Sequence, residues 1–464
     1  MLLLPVLLAL IYLEESYFSF IYSFLITLSS GLFLVAVNFN KNYEDLRIRD
    51  GFLLTVLLWF TYSVFASLPF VIGKSGDLSI VNAYFEAVSG LTTTGASILT
   101  SLDTELKSIL FYRALLQWLG GLGIIVLALA LFPLLGVGGM QLYRGETQGS
   151  VSGTKLRPKM AETGKSLWLV YLILTLTCCF CYFFSGMSLF DAVTHSFTTV
   201  AIGGFSNYDE SFAYFDSNAI YLVSMIFMFL SGANFSLHFL AYTKLNPKYY
   251  IQDSEFKFYS TVILSAFVLI TVAMIYFGFT NDFDLIVTTA FQTVSFATTT
   301  GYVNSEYYLW PAFIPFMLLM LGVIGACAGS TGGGIKMIRV LVLYKQGGRE
   351  LKKLTHPQSV VPVKIGGKIL LPEIAESVWG FFSVYILAYV FLTTLMLLYG
   401  SDFITSFSAV GASINNLGPG LGDVSQNYNS LNDISKITLS FSMILGRLEI
   451  YTLLVLMTPF FWKS

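Results

Sequence analysis

One pattern recurs four times in this chain, each time between two long apolar segments: a half-length helical stretch followed by a polar, glycine-centred segment. The copies at 82–97, 191–206, 288–303 and 405–420 align without gaps and place Gly95, Gly204, Gly301 and Gly418 in one column. A helix rises about 1.5 Å per residue, so each half-helix falls well short of a hydrocarbon core about 30 Å thick. Irregular backbone after its end cannot face lipid; it survives only where protein or a water-filled cavity surrounds it. The pattern therefore predicts re-entrant helices. Four copies in one chain predict a pseudo-fourfold arrangement about one axis.

The flanking segments are long enough to cross a bilayer at roughly 20 residues each. They fall at 2–13 merging into 18–37, then 52–72, 109–135, 166–185, 219–242, 259–279, 310–328, 374–399 and 436–461. Glu14 and Glu15 interrupt the first, which reads as one long helix or two short ones. Only 11% of the chain is charged, against about 25% in soluble domains, too little to make a wholly water-facing surface. The expected class is an all-α polytopic membrane protein of about ten spans. Its units are an N-terminal extension (1–40) and four repeats at 41–143, 144–245, 246–350 and 351–464. No Lys or Arg precedes the first apolar run, which favours a retained span over a signal peptide.

Lys and Arg sort the connections. Lys41, Arg47 and Arg49 share one. Arg144, Lys155, Arg157, Lys159 and Lys165 share another; Lys244, Lys248 and Lys257 a third. The longest carries eight basic residues from Lys336 to Lys368. The alternate connections at 206–218, 297–309 and 415–435 contain no Lys or Arg but include Asp209, Glu210, Asp216, Glu306, Asp423 and Asp433. The positive-inside rule puts the basic loops in the cytoplasm and the four re-entrant segments on the outer side. Carboxylates around a pore mouth concentrate cations.

A cation sheds its water only where protein oxygens replace it, and rings of backbone carbonyls do so. Turning successive carbonyls one way forces unusual dihedrals that glycine tolerates. The carbonyls of 91–94, 200–203, 297–300 and 414–417 are the candidate ligands, each set followed by a column glycine. The candidate ion-binding residues are Thr92, Thr93, Thr94 and Gly95; Ala201, Ile202, Gly203 and Gly204; Thr298, Thr299, Thr300 and Gly301; and Asn415, Asn416, Leu417 and Gly418. Threonine hydroxyls brace these segments or supply a ligand at their edge. The partly negative C-terminal end of each half-helix also favours a cation. The four segments are unlike, which predicts fewer well-formed sites than four identical loops give.

Within the span after the third copy, 322–334 is rich in glycine and small residues, too weak to hold a straight helix. Ala326, Cys327, Ala328, Gly329, Ser330, Thr331, Gly332, Gly333 and Gly334 read as an unwound gate under the filter, or as a close helix-packing surface. Lys336 and Arg339 follow; they anchor the end of that segment or pair with a carboxylate. Arg447 lies inside an apolar span, where charge is expensive. It faces a cavity under the filter, or snorkels to the surface. Arg113, near the start of its span, reads as a brace for the first filter.

Other chemistry is sparse. Cys178, Cys179, Cys181 and Cys327 lack zinc-site spacing and read as packing residues. The three histidines are scattered, and no paired acid and base or activated nucleophile emerges, so no enzyme is expected. A net charge of -2 gives no reason to expect nucleic acid. A symporter coupled to sodium or protons stays open, because transporters also break helices at the membrane centre.

The motifs 50–53, 92–97, 201–206, 297–302, 327–336, 415–420 and 446–449 resemble the Trk/Ktr/HKT superfamily of potassium transporters, specifically the TrkH/TrkG-type subunits of bacterial Trk systems, over essentially the whole chain. The resemblance implies potassium as the transported ion, a homodimer with one pore per subunit and residence in the bacterial inner membrane. It implies that the four glycines belong to the filter, that 326–334 is the intramembrane loop and that Arg447 is the cavity arginine. The first two helices match the extension of TrkH-type proteins. Gly95, where some sodium-preferring plant relatives carry serine, favours potassium. Leu417 stands where many relatives carry a smaller or hydroxyl residue. A cytoplasmic TrkA-type ring that binds ATP, ADP or NAD is also implied. This chain has neither a Walker loop nor a dinucleotide fingerprint and is expected to hold no organic cofactor itself. The basic loops 144–165 and 336–368 are the expected docking surfaces.

Overall fold

A computed structural model describes residues 1–39, 48–73, 78–135, 156–280 and 282–463. Lys41, Arg47, Arg144 and Lys155 lie outside the described residues, as does most of the 144–165 loop.

The chain is an all-α multi-pass membrane protein whose strand content among the described residues is one two-stranded hairpin, β1 (Lys364–Ile365) and β2 (Lys368–Ile369). The N-terminal stretch forms two helices, α1 (Leu3–Ile11) and α2 (Tyr17–Asn38). Glu14, in the turn between them, accepts backbone N–H bonds from Lys107 (2.8 Å) and Ser108 (3.1 Å). The acidic interruption thus caps a distant helix, where a carboxylate suits the positive end of the dipole. Leu32, Phe33, Leu34 and Val35 on α2 are exposed, an apolar surface of the kind that lipid or another protein covers.

Four repeats follow. The first comprises α3 (Ile48–Ile72), the half-helix α4 (Ile80–Leu91) and α5 (Lys107–Leu135). The second has α6 (Leu156–Phe184), the half-helix α7 (Leu189–Val200), then α8 (Asn218–Ser231) and α9 (Phe235–Thr243); a short α10 (Lys248–Gln252) leads out of it. The third has α11 (Ser254–Tyr276), the half-helix α12 (Phe283–Ala297), α13 (Phe313–Ile324) and α14 (Met337–Thr355). The fourth has α15 (Pro372–Leu398), the half-helix α16 (Phe403–Ile414), α17 (Asp433–Arg447), α18 (Tyr451–Leu456) and α19 (Pro459–Trp462).

Side-chain caps start all four half-helices. Ser79, Ser188, Asp282 and Asp402 accept backbone N–H bonds from Asn82, Asp191, Leu285 and Ile404 respectively. Such a cap satisfies a donor the helix cannot pair itself. Each half-helix packs on the first span of its own repeat: α4 on α3, α7 on α6, α12 on α11 and α16 on α15. Each second span packs on the half-helix of the next repeat: α5 on α7, α8 on α12, α13 on α16, and α17 back on α4. The last pairing closes the circle, so the sequence repeat is a spatial one.

Two of the second spans differ from the sequence reading. The segments 219–242 and 436–461 were each expected to be one span, but α8 and α9 meet at 93°, and α17 ends at Arg447 ahead of Glu449 (φ 53°) and Ile450 (φ 58°). In the third repeat α13 ends at Gly325 (φ 74°), at the glycine-rich stretch expected to unwind. Hydropathy averages over a window and passes across breaks where the chain stays apolar. Helices α2, α3, α6, α11 and α15 each contain a stretch long and apolar enough to cross a membrane.

Candidate functional site: a ring of four glycine segments and the loop beneath it

All four half-helices end the same way. Thr93 N–H bonds to Gly90 O (3.0 Å) and Thr94 N–H to Ser89 O (2.9 Å); Ile202 and Gly203 repeat this with Thr199 (3.1 Å) and Thr198 (2.8 Å). Thr299 and Thr300 do so with Phe296 (3.0 Å) and Ser295 (2.8 Å), and Asn416 and Leu417 with Ser413 (3.2 Å) and Ala412 (2.8 Å). These paired bonds form a Schellman cap, whose key position is left-handed and usually glycine. Here that position holds Thr93 (φ 55°), Ile202 (φ 55°), Thr299 (φ 65°) and Asn416 (φ 51°). β-Branched residues rarely adopt this conformation, and strain of this kind gathers at functional sites. Two residues on, Gly95, Gly204, Gly301 and Gly418 return to positive φ, between 79° and 93°.

The glycines form a closed ring. A methyl group on Gly95 would strike the carbonyl oxygen of Gly203, one on Gly204 that of Thr300, and one on Gly301 that of Leu417; one on Gly418 would come within 2.6 Å of Thr94 O. Each segment thus abuts the next, and the fourth abuts the first. The helix C-termini, capped by Thr92, Ala201, Thr298 and Asn415, converge there with their partly negative ends.

Hydroxyls tie the first and third segments internally: Thr92 to Thr94 and Thr298 to Thr300, each at 2.8 Å. The fourth is tied by Asn416 Nδ2 to Thr94 Oγ1 (3.0 Å) and by Tyr428, whose hydroxyl donates to Gly418 O (2.6 Å). Leu417, in place of the smaller or hydroxyl residue of many relatives, points away from the ring into the apolar core against Gly322. Thr93 Oγ1 and Asn416 Oδ1 are buried oxygens with no hydrogen-bond partner in the protein, so they remain available to a ligand.

On one side of the ring lies a vestibule of about 560 Å³, lined by all four glycines and by Asp209, Glu210 and Glu306. Among the described residues its one basic lining residue, Arg113, is paired with buried Glu86 at 2.8 Å. Partial burial, and then Asp209 and Glu210, push the nearby Asp103 carboxyl above its usual range, as a negative neighbourhood does.

The 325–336 segment lies against the other side of the ring. Its neck is zipped by Ile335 N–H to Val323 O, Lys336 N–H to Ile324 O and Met337 N–H to Ala326 O, at 3.0–3.1 Å. Cys327 N–H donates to Gly232 O (3.0 Å) and Gly329 O accepts from Phe235 N–H (3.0 Å), which laces the loop into the bend between α8 and α9. Ser330 turns back on Cys327 O (2.6 Å). Thr331 Oγ1 donates to Val200 O (3.0 Å) and Gly333 N–H to Thr299 Oγ1 (2.7 Å). A methyl on Gly332 would crowd Thr298 O, and one on Gly333 would strike Asn415 O. The loop therefore touches the second, third and fourth segments where their half-helices end.

Arg447 supplies the contact to the first repeat. Its guanidinium donates to Thr331 O (3.0 Å) and Gly120 O (2.9 Å), and it is 2% exposed. It reaches a buried position and does not snorkel. Lys336 Nζ donates to Gly332 O, and Arg339 pairs with Glu449 at 2.5 Å. Of the two sequence readings for Arg339, pairing with a carboxylate is the one found.

Several residues escaped the sequence reading. Glu255, in the first turn of α11, accepts from Ala328 N–H (2.7 Å) and Ile338 N–H (3.1 Å) and so holds both ends of the loop. Glu86 accepts from Ser97 Oγ and Ile98 N–H behind the first segment. His195 occupies the same column and bonds to Ser206 Oγ (3.2 Å). A polar residue nine places before the glycine in three of the four copies (Glu86, His195, Gln292) was the available signal.

The profile of the TrkH family, described as a cation transport protein, matches residues 18–464. The chain is 46% identical over 463 residues to the Trk system potassium uptake protein TrkH of Vibrio parahaemolyticus, covering 99% of this chain and 95% of the relative. It is 47% identical over 465 residues to the protein of the same name from Salmonella typhimurium, with the same coverage. The crystal structure of the potassium transporter TrkH from Vibrio parahaemolyticus superposes with a TM-score of 0.91 at 43% identity, covering 100% of this chain and 96% of that one. With its circle of repeats and its glycine ring, the chain belongs to the TrkH cation transport protein family, a family of transporters and not of enzymes.

Proposed function

We propose that this protein carries potassium inward across the bacterial cytoplasmic membrane, through a filter made by the four glycine segments. The observation behind this reading is the closed contact of Gly95, Gly204, Gly301 and Gly418 with the carbonyl of the adjoining segment. It gathers main-chain oxygens from four loops about one passage, where they stand in for the hydration shell. The unpartnered Thr93 Oγ1 and Asn416 Oδ1 add hard oxygen donors suited to such an ion. The vestibule faces outward, and its carboxylates draw cations in. The repeats divide at 41–143, 144–245, 246–350 and 351–464.

The loop 326–334 is the gate, and Arg447 is its bolt. The loop lies across the inner end of the ring and Arg447 fastens it to the opposite repeat. A guanidinium there also repels a descending cation. The resemblance adds a homodimer and a cytoplasmic TrkA-type ring that shifts the gate equilibrium by nucleotide binding. The curated relatives are named as Trk system potassium uptake proteins, which supports potassium as the cargo.

Flux from purified protein in liposomes, with potassium and sodium competing, tests the reading. Potassium preference, with flux raised by the regulatory ring, is expected; equal passage of both ions overturns it. Reversal potentials that follow a sodium or proton gradient would instead establish coupled transport.

A further inference from the structure

The second ring segment, Ala201-Ile202-Gly203-Gly204, has no hydroxyl or amide of its own. The first and third hold their shape through threonine pairs, and the fourth through Asn415, bonded to Tyr385, and Asn416. Ala201 and Gly203 offer no equivalent side chain. A residue from another repeat fills the gap. Gln117 on α5 donates through Nε2 to Gly203 O (2.6 Å) and accepts at Oε1 from Phe205 N–H (3.1 Å). Only this orientation of the amide satisfies both partners.

Gly203 makes room for the interaction. It stands where the other segments have Thr94, Thr300 and Leu417, and a methyl there would collide with the Gln117 amide. One helical turn earlier, Arg113 donates to Ser206 O (3.1 Å) and lies 4.1 Å from the Phe205 ring centroid, itself held by Glu86. The first repeat therefore grips the second segment on both sides of Gly204. The gripped Gly203 oxygen is also the one that abuts Gly95.

We propose that Gln117, supported by Arg113, is a positioning residue for selectivity. It fixes the second segment in the ring in place of the missing hydroxyls, and so sets the discrimination between potassium and sodium. This rests on the filter reading above. A wall left free to shift would accommodate ions of other radii and lower the preference for potassium.

The test is tracer flux of potassium and sodium through the purified full-length protein in liposomes, for Gln117→Glu and Gln117→Met. The first keeps the shape and the acceptor for Phe205 N–H but loses the donor to Gly203 O. The second loses both at similar volume. Each should lower the potassium-to-sodium flux ratio about fivefold or more, the scale of an unmade buried hydrogen bond. Gly203→Ala, which displaces the amide from the other side, should lower it in the same direction should either Gln117 variant fail to fold. Variants that lose both fluxes together at an unchanged ratio overturn the proposal and make Gln117 merely structural. An unsubstituted protein with no potassium preference overturns the filter reading itself, a result the variants cannot mimic.

Discussion

On the half-helix side of the glycine ring the four repeats do one thing four times; on the other side no two of them agree. Four capped half-helices end in four Schellman turns and present four glycines to a common ring. Beyond it, α5 runs unbroken over Lys107–Leu135, α8 and α9 meet at 93°, α13 gives way to a loop, and α17 stops at Arg447. On the proposed reading the alike turns of the ring coordinate the ion, and the unlike elements beyond it supply one part that crosses the passage and one that fastens it.

The largest expected effects break the symmetric half. Gly95→Ala, Gly204→Ala, Gly301→Ala and Gly418→Ala each place a methyl against a carbonyl of the adjoining segment in a backbone conformation that only glycine enters freely. Each should abolish potassium-selective uptake in a strain dependent on this protein for potassium, and the four should be alike. One tolerated alanine would show that its wall is dispensable.

On the asymmetric side the effects should be unequal and opposite in sign. Arg447→Ala removes both donors that join the loop to the first repeat. Hydrogen bonds to charged groups contribute about 1.5–3 kcal/mol, so basal flux without the regulatory ring should rise about tenfold or more. Deletion of 328–333 should do the same with selectivity little changed. An unchanged flux from a stable variant would remove the loop or Arg447 from the gate.

Glu255→Gln is expected to act more mildly. The amide oxygen can still accept from Ala328 N–H and Ile338 N–H, so these bonds are weakened and not removed. A two- to fivefold rise in basal flux by liposome assay is about what that change allows. Tyr428→Phe, which removes the donor to Gly418 O at the edge of the glycine ring, should give the smallest change: about a twofold loss of selectivity, near the lower limit for one hydrogen bond.

The same division governs what could be read in the sequence. The ring was legible because its constraint is local: positive φ selects glycine, and four glycines in register follow. The spans were legible because lipid demands apolar length. The breaks in α8–α9 and α17–α18 were not, because Gly232 and Glu449 sit in apolar runs whose average hydropathy does not change. They are compensated by partners distant in sequence, Cys327 for Gly232 and Arg339 for Glu449. Arg447 announced itself as a charge in a span, but its acceptors, Thr331 O and Gly120 O, are backbone atoms with no residue signature. Gln117 gave no signal at all, since a lone glutamine on an apolar helix is ordinary.

The most direct test is diffraction from crystals of the protein grown in rubidium or thallium salts, with the ion located by its anomalous scattering. The result expected is a peak on the axis between Gly95, Gly204, Gly301 and Gly418, within coordination distance of the backbone oxygens of the four segments. An empty ring, with the heavy ion bound elsewhere in the membrane-spanning region, would contradict it.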